Sequence, residues 1–169
     1  MTTETRGTGA GMLTQLQALS IQVDGRYASD AELNLLASLQ ESFGIRLSAY
    51  QKIQAHEVAI IKETEERVRA VDPQLLMRGI EDFRTKWRAD TVRVLRYSAM
   101  ALLLDDVDRL RERLLLWFQT LMRAFRTQKS CAITYQSLQE VVKKYLTAEE
   151  AALFLPILEL DRTLLGEVN

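Results

Sequence analysis

The chain has 169 residues, 47% hydrophobic and 27% charged, with 22 basic side chains against 23 acidic ones and a formal net charge of -1. That length can bury one sizeable core as a single domain, while the even charge balance argues against a nucleic-acid binder, which gathers basic excess on one face. The one cysteine, Cys131, excludes an internal disulfide and fits a reducing compartment. No apolar run reaches the ~18 residues of a spanning helix and no basic-then-apolar leader opens the chain, so a cytoplasmic protein without membrane insertion is expected.

In chain order, residues 1–11 (MTTETRGTGAG) are small, polar and glycine-rich, and read as a disordered tail. The rest, 12–169, reads as one unit. Leu13, Leu16, Leu19 and Val23 mark a short amphipathic helix that Gly25 breaks. Ser29 to Glu32 has the capping-box pattern, opening a helix through Leu33, Leu36, Leu39 and Phe43 that is expected to close at Gly44. Residues 12–44 would then be a helical hairpin, and 45–169 the body. Ile45 to Val71 suits one long helix or two, and Asp72-Pro73 ends it because proline disfavours helical geometry in the residue before it. PQLLMRG is a short connector with Gly79 as its stop.

Ile80 to Asp106 is the centre of the packing. Phe83, Trp87, Val94, Tyr97, Ala101 and Leu104 form an apolar stripe at helical spacing, and Asp90 falls on the same stripe. A bare buried carboxylate would cost several kcal/mol or take up a proton, so Asp90 should meet a donor, a cation or a ligand. Val92, Leu95, Ala99, Leu102 and Leu103 occupy other sides, so this helix needs neighbours around most of its girth. The basic residues between Arg78 and Arg96 are interrupted by Glu81, Asp82 and Asp90, and read as a solvated or partner-facing surface.

Asp105, Asp106 and Asp108 then favour a helix N-terminus by opposing its dipole. The helix from Val107 to Phe125 is amphipathic through Leu110, Leu114, Trp117, Phe118, Leu121 and Met122. RTQKS is a loop, and Cys131 to Leu146 is a helix with Leu138, Val141, Val142 and Tyr145 inward. A second capping box, Thr147 to Glu150, opens a last helix to Gly166, with a bend expected at Pro156. Seven to nine helices of uneven length with no strand signal predict an all-α, globin-like packing rather than a simple four-helix bundle.

Groups that carry chemistry are few, and no enzyme is expected. His56 is the only histidine and lacks a Cys or His partner at metal-ligand spacing, so it reads as an ordinary exposed or half-buried side chain. No Ser/His/Asp set, nucleophile elbow or phosphate loop appears; the glycines of TRGTGAG follow no strand. Cys131 at a helix start could have a lowered thiol pKa, but a small capping or core residue is the commoner case.

Two stretches together resemble the phycobiliproteins, the globin-like light-harvesting subunits of cyanobacteria and red algae. SIQVDGRYASDAEL, Ser20 to Leu33, is similar to their Gly-Arg-aromatic turn leading into a Ser-capped helix. KWRADTVRVLRYSAMALLLDD, Lys86 to Asp106, resembles their Lys-Cys-x-Arg-Asp helix continuing into Leu-Arg-Tyr. Order and spacing agree over about residues 12 to 165. The resemblance implies a globin-like body preceded by a docking hairpin, and a place in the phycobilisome antenna, at the cytoplasmic face of photosynthetic membranes.

The departures are specific. Where the family carries the cysteine that forms a thioether to its linear tetrapyrrole, this chain has Trp87, which cannot make that bond. The family's propionate-binding arginine falls on Ala89, with Arg88 next to it, and the aspartate that binds the inner pyrrole nitrogens is retained as Asp90. Trp87, Arg88 and Asp90 are therefore expected to mark a vestigial pigment pocket, plugged by the indole, or a noncovalent one. The segment that would wrap a pigment is short, Pro73 to Asp82, and Cys131 does not align with the family's second bilin cysteine. By the resemblance the hairpin docks on a neighbouring subunit, the same chain or another of its kind, through Leu16, Leu19, Asp24, Arg26 and Tyr27 with Arg96 and Tyr97. Gln22 holds the family's acid position, so Asp24 with Arg96 is the available pair. The expected function is a non-catalytic subunit without covalent chromophore that acts by protein association in the antenna. The alternatives are a noncovalent bilin carrier or photosensor, and a pigment-free globin-shaped stress-signalling sensor.

Overall fold

A computed structural model describes residues 11–78 and 80–167, leaving out the side chain of Arg78; the tail expected at 1–11 lies outside them but for Gly11, as does the expected stop at Gly79. The architecture is all-α and globin-like. Helix α1 (Met12–Gln22) is joined by a turn, in which Gly25 takes φ 72°, to α2 (Asp30–Val71). Both halves of the Ser29 capping box form: Ser29 Oγ accepts from the Glu32 amide and Glu32 accepts from the Ser29 amide at 2.7 Å.

The expected end at Gly44 does not occur. α2 runs unbroken for 42 residues, roughly 60 Å at 1.5 Å per residue. Gly44 costs a helix only some stability relative to alanine, and the apolar spacing carries on past it. The two parts of α2 nevertheless have different fates. No described residue from 30 to 48 is buried, whereas Ala49, Ile53, Ile60, Ile61, Thr64, Glu65 and Val68 all enter the core. At the junction Arg46 donates to the Leu102 carbonyl at 2.9 Å and pairs with Asp105 at 2.9 Å, a cation meeting the carbonyl end of α3. The body therefore begins one turn beyond Gly44, with the helix continuous across the boundary.

After α2 comes a 3-10 turn (Pro73–Leu76), opened by Asp72, whose Oδ1 accepts from the Gln74 amide. A two-residue antiparallel pair follows, β1 (Met77–Arg78) with β2 (Glu81–Asp82); two residues per strand are too few to give an alternating pattern, so the sequence carries no strand signal. Helix α3 (Arg84–Leu104) ends at Asp105 in the left-handed conformation, φ 50°. α4 spans 107–124 as one run, α-helical over Val107–Leu110, π-helical over Arg111–Leu115 and α-helical again over Leu116–Ala124. α5 (Gln128–Val142) starts three residues before Cys131 and gives way to a hydrogen-bonded turn before Leu146. α6 (Ala148–Gly166) opens on the Thr147 capping box and continues through Pro156. The described residues thus form six α-helices, fewer than expected because 30–71 is one helix and the connector is a 3-10 turn.

α5 and α6 pack along each other most extensively, and α2 crosses α3 and α5. Phe118, Phe154, Ile60, Leu95, Leu102, Leu138 and Leu158 fill the centre. Gly166 permits the closest approach: a Cβ there would stand 2.7 Å from the Ala132 Cβ and 2.8 Å from its Cα. No described helix is long and apolar enough to cross a membrane.

Candidate functional site

α3 buries Trp87, Thr91, Val94, Leu95, Ser98, Ala99, Ala101 and Leu102. At about 100° per residue, Asp90 and Tyr97 fall on the trailing edge of that face, not its middle. Tyr97, read as part of the inward stripe, is accordingly exposed, and Phe83 and Leu104 are half-buried. Trp87 is 7% exposed, and its Nε1 donates to Thr134 Oγ1 on α5 at 2.9 Å. Asp90 meets the cation that its position demands: Lys86, one turn earlier, donates to Oδ1 at 2.6 Å.

Trp87 and Asp90 line the same cavity, of about 410 Å³, between α3, the 3-10 turn, α4 and α5. The indole forms wall and does not fill it. Apolar lining comes from Leu75, Phe83, Phe118, Leu121 and Met122; Lys86, Arg126 and Lys129 stand at the exposed margin. Arg88 points elsewhere, holding Glu65 of α2 with two hydrogen bonds, at 2.5 and 2.9 Å, and Ala89 is exposed. Of the three residues grouped from sequence, two line this cavity and the third fastens α3 to α2.

Cys131 is a wall residue of the same cavity. Burial pushes its thiol up to about 12, opposite to the lowering that a helix start alone would give, so the sulfur is protonated at neutral pH and a poor nucleophile. Burial likewise holds the Tyr135 phenol well above its ordinary value. The inner wall is thus lined by neutral groups and the charges are kept to the margin. This arrangement can bind and orient a ligand. His56 lies elsewhere, its ring 4.8 Å from that of Tyr145 and its Nδ1 2.9 Å from the Lys52 carbonyl. Among the described residues no three His, Cys, Asp or Glu come together as a metal site.

A second surface gathers around α1 and the exposed first part of α2. Gly11 is buried against Asp106 and Leu19 is the buried side chain of α1, whereas Leu13, Leu16, Ile21, Leu33 and Leu35 are exposed. Tyr27 is 98% exposed at the tip, beside Arg26, which grips Glu32 at 2.8 and 3.0 Å. Asp24 makes no ion pair among the described residues. Arg96 is held by Glu57 of α2 at 2.6 and 2.7 Å, so within the chain the two residues of the expected Asp24–Arg96 pair stay apart. Arg96 and Tyr97 line a groove of about 500 Å³ between α2, α3 and α4, together with Met100, Leu104, Arg109 and Arg113.

Several residues of these sites escaped the sequence reading. Lys86 could have been found as the i-4 partner of Asp90. Thr134, Tyr135, Glu57 and Glu65 come from distant segments, and no local signal marks them.

Scanned against models of protein families, the chain matches that of the phycobilisome protein over residues 18–162. A search of curated proteins gives no match.

Proposed function

We propose that this chain, which belongs to the phycobilisome protein family, is a non-catalytic subunit without covalent chromophore that works by associating with a subunit of its own kind. One observation carries this reading. Between residues 30 and 48 nothing described is buried, yet this segment and α1 expose Leu13, Leu16, Ile21, Leu33 and Leu35. A single subunit gains nothing from showing these side chains to water, and exposed apolar surface of this kind suits an interaction site. Members of the family assemble with one another, and the chain offers a receiving surface in the groove of Tyr97, Met100 and Leu104. Charge supports the fit. Residues 12–44 hold Asp24, Asp30, Glu32 and Glu41 against Arg26 alone, and the groove holds Arg96, Arg109 and Arg113 against Glu57 and Asp106. With Arg96 bound to Glu57, Arg109 and Arg113 are the cations open to an acid from a partner.

The absence of a tethered pigment rests on position 87. A thioether needs a sulfur, Trp87 has none, and its Nε1 is committed to Thr134. The residues beside it do not supply the propionate partner either, since Ala89 is uncharged and Arg88 is bound to Glu65.

Hydrogen exchange at two protein concentrations tests the association. Amides of 12–48 and of the groove segment 97–113 should slow together as concentration rises. Exchange that is identical at both concentrations would reject the hairpin as an interface.

A further inference from the structure

The cavity beside Trp87 is on a different part of the molecule from the hairpin groove, and it has two features that packing does not account for. The first is Tyr135. This residue is 2% exposed and lines the cavity, and its hydroxyl makes no hydrogen bond among the described residues. The ring is buried, but the hydroxyl is open to the space of the cavity, and burial keeps it protonated, so it can donate to an acceptor placed there. The second is Arg126. It lines the same cavity from the exposed margin, in a left-handed backbone conformation with φ 57°. The neighbouring cations are engaged: Lys86 with Asp90, and Lys129 more loosely with Asp72 at 3.7 Å. Arg126 has no such partner among the described residues. Between these two polar ends the wall is apolar, with Leu75, Trp87, Phe118 and Met122. A volume of about 410 Å³ falls within the roughly 300–1,000 Å³ typical of sites for single organic ligands.

We infer that this cavity binds an untethered aliphatic carboxylic acid and not a tetrapyrrole. Its apolar body lies along Leu75, Trp87, Phe118 and Met122, an oxygen on that body accepts from Tyr135, and its carboxylate pairs with Arg126 at the mouth. The site does not suit a covalent tetrapyrrole: Trp87 offers no sulfur, and the Cys131 thiol is buried and protonated. An aliphatic acid needs neither a tether nor a second cation in the place of Ala89. Lys129 lines the same margin, and Asp90 is paired with Lys86.

Isothermal titration of the intact chain with ω-hydroxydodecanoate, dodecanoate and biliverdin tests the inference. Both acids should bind at one per chain, the hydroxy acid more tightly. Arg126→Gln, at an exposed position, should weaken both by about tenfold or more, the usual effect of losing a charge-assisted hydrogen bond. Tyr135→Phe should cost the hydroxy acid several-fold and leave dodecanoate unchanged, which a general loss of packing would not do. The inference is overturned if neither acid binds below millimolar concentration, or if Arg126→Gln binds both as tightly as the parent. Stoichiometric biliverdin binding that the acids cannot displace would also overturn it and assign the cavity to a pigment. None of these outcomes depends on whether the hairpin associates.

Discussion

Asp161 gives the sharpest test of how the interior is built. It is fully buried on α6, with one oxygen accepting from Ser98 on α3 at 2.7 Å and the other without a partner. Burial raises its carboxyl to about 8, against the opposing effect of Ser98; in the unfolded chain it titrates near the ordinary aspartate value of about 3.9. Between those limits the folded state carries a proton that the unfolded state has released. Stability is then fully present below about pH 4 and declines as pH rises toward 8, by about 1.4 kcal/mol per pH unit. From pH 5 to pH 7 this amounts to about 3 kcal/mol. The carboxylates that are strongly depressed, Glu32, Asp82, Glu150 and Glu159, all lie at about 2 and do not titrate in that window. Asp161→Asn removes the titration. Urea unfolding at pH 5, 6 and 7 should show the variant gaining on the parent by about 3 kcal/mol across the range. Parallel pH dependences for the two proteins would show that Asp161 is not held protonated, and would refute the reasoning.

Three further outcomes follow from the packing. Trp87→Ala should cost about 3–5 kcal/mol in urea unfolding at pH 7, because it removes a buried indole, whereas Trp87→Phe should cost less, chiefly the hydrogen bond to Thr134; an Ala variant as stable as the parent would place the indole outside the core. Gly166→Ala should destabilise by about 1–3 kcal/mol through overpacking against Ala132, read as a lowered thermal midpoint. Glu150 is drawn upward by burial, but Lys52, the Thr147 amide and Ser48 outweigh this and hold it at about 2. Its contribution is present above the ordinary value near 4.5 and lost as pH falls through about 2, so Glu150→Gln should cost about 2–3 kcal/mol at pH 7 and nearly nothing near pH 2, measured by denaturant titration at the two pH values.

What could be read from the sequence was what local chemistry decides. Both capping boxes form because serine or threonine and a glutamate three residues on satisfy the same few amides wherever they occur. Proline 73 ends α2 for an equally local reason. Gly44 misleads because glycine permits a helix end without requiring one. The π-helical turn at Arg111–Leu115 leaves no mark beyond three successive leucines, yet Leu114 and Leu115 are both buried. In the candidate site, Trp87 and Asp90 were recognisable by their place on α3, but Arg88 was not assignable, since its partner Glu65 is set by how α2 crosses α3. Asp161 could have been found: it stands in register with Phe154, Leu158 and Leu165, the argument that singled out Asp90. Of the two acids, Asp90 sits at the edge of its buried face with Lys86 in reach, and Asp161 sits in the middle of its own.

The proposed function requires the hairpin to be half of an interface. Sedimentation velocity of the parent and of a Leu13→Asp, Leu16→Asp double variant, across micromolar concentrations, measures this directly. The parent should sediment as a dimer or larger and the variant as a folded monomer, since both leucines are exposed within a single chain. A parent that remains monomeric throughout, or a variant that assembles as the parent does, would contradict it.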